Sequence, residues 1–214
     1  MIKVSKNLFS KSLFAGICFG IGAVCSGVFG PGLFQGLIIS LVFVGIMKLS
    51  YPLMTERGGD SDLSTTFAGY PTVDTIVLKL FAKRIVLGNF LGIIIAAICG
   101  LLLILPSIKL QFVSLDSSWW RILMSSILTG LLVDLGARAF YKKQSVWLIL
   151  ILVFAITVLG FNHVILDLVI VINEVFYNNL NLLIGIKILL FSTIGNFLGC
   201  RLRNLLIGGK DEED

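Results

Sequence analysis

The chain holds a single histidine, and that histidine sits in the middle of an apolar segment. His163 follows Gly160-Phe161-Asn162 and precedes Val164, with Asp167 four residues further on. Imidazole is the side chain whose ordinary titration lies nearest neutral pH, and it can donate, accept or carry a proton. Upstream, Trp147–Leu159 is apolar but for one Thr, long enough to enter a bilayer and too short to cross it upright, which takes about 20 residues. An ionisable group at membrane depth costs about 2.5 kcal/mol or more when charged, so by default such a site faces a cavity or the protein interior. The competing reading is a histidine packed against another helix with its nitrogens satisfied. Asp167 lies one helical turn beyond His163 if the helix is intact there. It is read in three ways: a carboxylate favouring a charged histidine, a helix-terminal or interhelical contact, or part of an interface with a second copy.

The elements that position these residues are membrane helices. Of 214 residues, 57% are hydrophobic and 14% charged, and the mean hydropathy is +1.02. Soluble domains carry about 25% charged residues, and a chain this size cannot hide so much apolar surface from water. The net charge of +5 does not signal nucleic acid, because the basic residues sit at the ends of apolar runs. Cys18, Cys25, Cys99 and Cys200 lie inside apolar runs without Cys-x-x-Cys spacing. They are expected to be small buried residues, neither disulfide partners nor metal ligands. Lys3, Lys6 and Lys11 before an apolar run imitate a signal peptide, but five more spans follow, and the run reads as a first membrane helix.

Six spans are expected, at about 12–30, 33–54, 80–105, 119–140, 145–173 and 182–207, with turn chemistry between them. The chain forms one membrane domain over 1–214, with a polar cytoplasmic tail at 208–214. With the N-terminus inside, 13 of the 17 Lys and Arg fall in inner segments and Lys109 and Arg121 at outer edges, which puts both termini in the cytoplasm.

Leu87-Gly88-Asn89-Phe90-Leu91-Gly92 in the third span returns as Ile194-Gly195-Asn196-Phe197-Leu198-Gly199 in the sixth, 107 residues later. Half the chain length is 107, so residues 1–107 and 108–214 read as two repeats of three spans. An odd number of spans inserts the two halves in opposite senses, the inverted repeat of many transporters. The same offset carries His163 to Glu56, within the interrupted stretch Lys48–Glu56, where Pro52 removes a backbone donor. Paired interruptions in two halves are the best sequence pointer to a substrate site, and irregular backbone at this depth must line protein or a wet cavity. Gly88, Asn89, Gly92, Gly195, Asn196 and Gly199 are expected to form helix-packing motifs.

These residues resemble the formate/nitrite transporter family of pentameric anion channels. Gly160-Phe161-Asn162-His163-Val164-Ile165-Leu166-Asp167 is similar to that family's Gly-Phe-Glu-His-Ser-x-x-Asn. Leu53-Met54-Thr55 resembles its Leu-Phe-Thr loop, the two Gly-Asn-x-x-Gly motifs match, and Lys11–Gly16 looks like its first helix. The chain departs from the family at Asn162 (Glu), Val164 (Ser) and Asp167 (Asn), and offers Thr129-Gly130 and then Asp134 in the fourth span. The resemblance implies an all-α, aquaporin-like fold of six helices in two inverted repeats, with the second and fifth interrupted and a pore inside each protomer of a homo-pentamer. It implies narrowings at Leu53 and Met54 with Thr55, and near Ile39 and Ile156, with His163 and Asn162 between them. Asp167, Asp134 and Thr129 are possible polar modulators.

The implied function is passage of small monovalent anions or their weak acids, such as formate, nitrite or hydrosulfide, with His163 as proton relay, in a bacterial cytoplasmic membrane. No cofactor, metal or nucleic acid is expected. Three alternatives stand: passage of a neutral solute, a non-transporting scaffold, and a membrane hydrolase using His163 and Asp167. The last lacks any Gly-x-Ser-x-Gly, His-Glu-x-x-His or His/Cys cluster.

Overall fold

The computed structural model describes residues 8–49, 73–104, 118–141, 145–177 and 180–207, with backbone alone for 73–84, 101, 103–104 and 203–207. These residues form seven α-helices and no strand: α1 Leu8–Gly27, α2 Leu33–Lys48, α3 Val73–Ile104, α4 Trp119–Tyr141, α5 Val146–Val158, α6 Val164–Tyr177 and α7 Leu182–Ile207. The fifth expected span is the pair α5 and α6, broken at Leu159–His163. Helix α2 stops at Lys48 with Leu49 as its C-cap. The rest of the expected interruption at Lys48–Glu56, including Leu53, Met54 and Thr55, lies outside the described residues, as do the 60–72 linker and the 208–214 tail.

Local chemistry explains the helix ends. Between α1 and α2, Gly30 and Gly32 take φ of 74° and 139°, a reversal that side chains resist. Ser145 caps α5, its hydroxyl accepting the Leu148 N–H at 3.2 Å.

Helix α1 packs along α3, α4 along α7, and α2 against α5, while α6 touches α1, α3 and α7. The first two pairings repeat each other. Asn89 Nδ2 donates to the Ser12 carbonyl at 2.7 Å, and Asn196 Nδ2 to the Ser126 carbonyl at 2.8 Å. A Cβ added at Gly16 would overlap the Asn89 carbonyl, and one at Gly130 the Asn196 carbonyl. Small residues let the backbones meet at the same point of each crossing.

The repeat spacing is not constant. Asn89 and Asn196 are 107 residues apart, but Ser12 and Ser126 are 114 apart. The C-caps Leu49 and Leu159 are 110 apart. Helices conserve the crossings, and connections of unequal length absorb the difference.

Large apolar side chains cover the outside, among them Phe14, Leu87, Leu91, Leu183, Leu190 and Leu198. Helices α1, α4 and α7 are long and apolar enough to cross a bilayer, and α5 and α6 cross as a broken pair. Such an exterior suits hydrocarbon and not water, and the chain is an integral membrane protein. The cysteines correct one expectation. Cys200 is buried, but Cys25 and Cys99 are exposed, since a small apolar thiol is as compatible with lipid as with a core.

Candidate functional site at the helix break

Helix α5 ends because Gly160 takes φ 68°. The Gly160 N–H donates to the Thr157 carbonyl at 3.2 Å and the Phe161 N–H to the Ile156 carbonyl at 3.0 Å. This is the Schellman arrangement, which satisfies carbonyls that a broken helix would leave bare. His163 then heads α6, its carbonyl accepting the Leu166 and Asp167 N–H groups, both at 2.8 Å.

A polar network holds the break. The Val164 N–H, an orphan of the new helix, donates to Asn196 Oδ1 of α7 at 3.0 Å. Asn196 Nδ2 also reaches the Asn162 carbonyl at 3.3 Å. Asp167 accepts from the His163 N–H at 3.4 Å, from Asn162 Nδ2 at 3.1 Å and from the Ser192 hydroxyl. Ser125 of α4 donates to Asn162 Oδ1 at 2.7 Å. Asp167 is therefore a helix-terminal group that reaches back over the first turn, the second of its three sequence readings. Three donors and no acceptor face it among the described residues, which suits an ionised carboxylate.

The His163 ring leaves this network and enters an apolar cage. Its centroid is 6.1 Å from that of Phe19 on α1 and 6.1 Å from that of Phe43 on α2. The two phenyl rings themselves meet edge to face at 6.5 Å. His163 is 2% exposed, and its Nε2 has no hydrogen-bond partner among the described residues. A buried polar atom left bare is costly, of order 1–3 kcal/mol, and calls for an explanation. The chemistry available here is one nitrogen able to exchange a proton or a hydrogen bond with a small solute, between apolar walls.

Ile39 and Ile156 are both buried in the core that holds Phe19 and Phe43. Thr129 is buried with its hydroxyl unpartnered among the described residues, one turn along α4 from Ser125. Asp134 is buried and paired with Arg138 Nε at 3.0 Å. Gly88, Gly92, Gly195 and Gly199 line the two crossings, each so close to the facing helix that a Cβ would collide with it. Asn196 packs there and also caps α6. Sequence reasoning missed Phe19, Phe43, Ser125 and Ser192. The two serines had a signal, being hydroxyls in apolar runs, but the phenylalanines had none among 16 in the chain. A cavity of about 1020 Å³ opens beside the break between α4, α5 and α6, lined by Trp120, Arg121, Ser125, Asn162 and Asp167 among others. The His163 ring lies behind this network, on the α1 and α2 side.

No family model matches the chain, and no curated protein matches its sequence. Solved structures do match in shape. A pentameric formate channel with formate bound superposes with a TM-score of 0.74 at 18% identity, over 97% of this chain and 99% of that one. An FNT family ion channel superposes with a TM-score of 0.72 at 16% identity, over 91% of this chain and 85% of that one. The chain is an all-helical membrane protein with the fold of these formate/nitrite-type channels.

Proposed function

We propose that the chain is a channel or transporter for small monovalent anions or their weak acids, with His163 as the proton relay. The observation that carries this reading is the bare Nε2 of His163 between Phe19 and Phe43. A naked anion is strongly disfavoured between phenyl walls. An anion that reaches His163 and takes a proton passes the walls as the neutral acid. The imidazole, neutral again, recovers a proton for the next cycle. Asn162, Ile39 and Ile156 belong to the described part of the path in this reading, with Thr129 as a polar modulator, and Leu53, Met54 and Thr55 to its cytoplasmic narrowing. The two matching crossings support a chain built of two repeated halves, and the Lys and Arg distribution supports both termini in the cytoplasm. A homo-pentamer follows by analogy with the pentameric formate channel, and we place it in a bacterial cytoplasmic membrane from the sequence resemblance alone.

The test is uptake into liposomes of a panel of anions and neutral solutes between about pH 5 and about pH 8. Transport that relies on a co-transported proton falls as pH rises, because the proton becomes scarce. His163→Phe keeps ring bulk and removes both titratable nitrogens, and it is expected to lose this pH response. An unchanged rate and profile in that variant would reduce His163 to a packed core residue. The apolar cage also suits a neutral solute, and uptake of neutral solutes alone would select that reading. Labelling of single cysteines in the 60–72 linker from outside the cell would overturn the topology. Native mass spectrometry in mild detergent checks the pentamer.

A further inference from the structure

Asn162 and Asp167 flank His163 in sequence and touch each other in space, amide nitrogen to carboxylate oxygen at 3.1 Å. Each has one further function at its other end. Asn162 Oδ1 accepts from Ser125, and Asp167 Oδ1 accepts from the His163 N–H. We propose that the two side chains are one exchangeable amide–carboxylate unit that positions His163, in which the negative charge belongs to the pair rather than to either position. This inference rests on the proposed pore role of His163 for its transport readout and not for its stability readout.

The donor and acceptor inventory carries the argument. Asn and Asp have the same length and shape, differing by NH₂ against O⁻. Suppose the two are exchanged. The carboxylate now at 162 still accepts from Ser125 with one oxygen, and its other oxygen accepts from the amide now at 167. The oxygen of that amide still accepts the His163 N–H, because a carbonyl oxygen serves as well as a carboxylate oxygen. Its second N–H meets Ser192, whose hydroxyl can turn from donor to acceptor. Every contact at the break survives with a compatible partner. Each single exchange behaves differently. Asn162→Asp alone sets two carboxylates against each other at hydrogen-bond distance in a buried place, so the pair must either repel or bind an extra proton that the parent does not need. Asp167→Asn alone sets two amides together, which one amide flip relieves, because Ser125 can donate or accept. The geometry therefore predicts an order, with Asn162→Asp worst, Asp167→Asn mild and the double exchange close to the parent.

The test compares the parent, Asn162→Asp, Asp167→Asn and the double variant by thermal melting in detergent and by liposome uptake. Contacting pairs couple by enough to change an equilibrium several-fold to a hundredfold. Asn162→Asp is expected to melt lower and to slow uptake by about tenfold or more, and adding Asp167→Asn is expected to restore the melting temperature and return uptake to within about threefold of the parent. A double variant that melts no higher than Asn162→Asp would overturn the proposal. If Asn162→Asp does not fold at all, recovery of a folded protein in the double variant supports the unit, and continued failure overturns it. If the parent moves no solute while the melting temperatures still show rescue, the pair stands and the transport reading falls. If the parent transports and rescue is absent, the pair falls and the transport reading stands.

Discussion

Two helix crossings, α1 on α3 and α4 on α7, share one backbone design and differ in the side chains beside it. In each, a serine hydroxyl donates to the carbonyl one turn back: Ser12 to Leu8 at 2.9 Å and Ser126 to Ile122 at 2.6 Å. In each, an asparagine bridges to that serine's carbonyl. One turn from the asparagine the halves part. Helix α7 carries Ser192, which binds Asp167, where α3 carries the buried Ile85. Helix α4 carries Ser125, which binds Asn162, where α1 carries the exposed Lys11. The C-terminal half thus supplies the polar bracing of the break, and the N-terminal half supplies Phe19 and Phe43 as the apolar walls of the histidine. Close backbone approach constrains glycine, serine and asparagine alike in both crossings. Positions one turn from the asparagine or next to the serine are free of that constraint, and there the two halves became chemically unequal.

This comparison can be broken at three levels. The largest effect is expected from Gly92→Ala and Gly199→Ala, whose new Cβ atoms would overlap the Leu13 and Ile127 carbonyls. Backbone against backbone has little room to relax, so each should destabilise by about 3 kcal/mol or more. Thermal melting should give similar losses in the two variants. A large loss in one alone would show that the crossings are not equivalent.

Next comes Asn196→Ala, which removes the bonds to the Ser126 carbonyl, the Asn162 carbonyl and the Val164 N–H. Buried groups left bare cost about 1–3 kcal/mol each before relaxation, so a net loss of about 2–3 kcal/mol is expected. Asn89→Ala sharpens the comparison. An equal loss would mean that the α1–α3 asparagine carries as much as its counterpart.

The smallest effects separate the unequal positions. Ser192→Ala takes one hydroxyl from a carboxylate and should cost about 2 kcal/mol, as hydrogen bonds to charged groups do. At the matching place Ile85→Val removes one buried methylene and should cost about 1 kcal/mol. Only the Ser192 variant should also slow uptake in liposomes. A transport defect from Ile85→Val would spread the site into the N-terminal half.

Much of this was legible in the sequence because its causes are local. The break at Gly160 was visible because apolar runs end where turn residues begin, and a glycine at a helix C-terminus is a local event. The hexamer shared by the third and sixth spans exposed the repeat, since close approach demands small residues wherever it occurs. The fold of the formate/nitrite-type channels was legible from the same motifs. The repeat's true spacing was not. It runs from 114 at Ser12 and Ser126 to 107 at Asn89 and Asn196, because connections vary in length while crossings do not.

What the sequence by itself determined is which stretches are apolar helices, where the fifth one breaks, and that one histidine stands at the break. These follow from hydropathy and turn chemistry within a few neighbouring residues. Tertiary structure alone decided that Asn196, far along the chain, caps α6 and that Asp167 faces Ser192 of α7. It also chose Phe19 and Phe43 from 16 phenylalanines to wall the histidine. The reason is geometric. A helix presents each residue in a direction fixed by its 3.6-residue turn, but what that direction meets depends on where other helices cross it, and no local pattern contains that information.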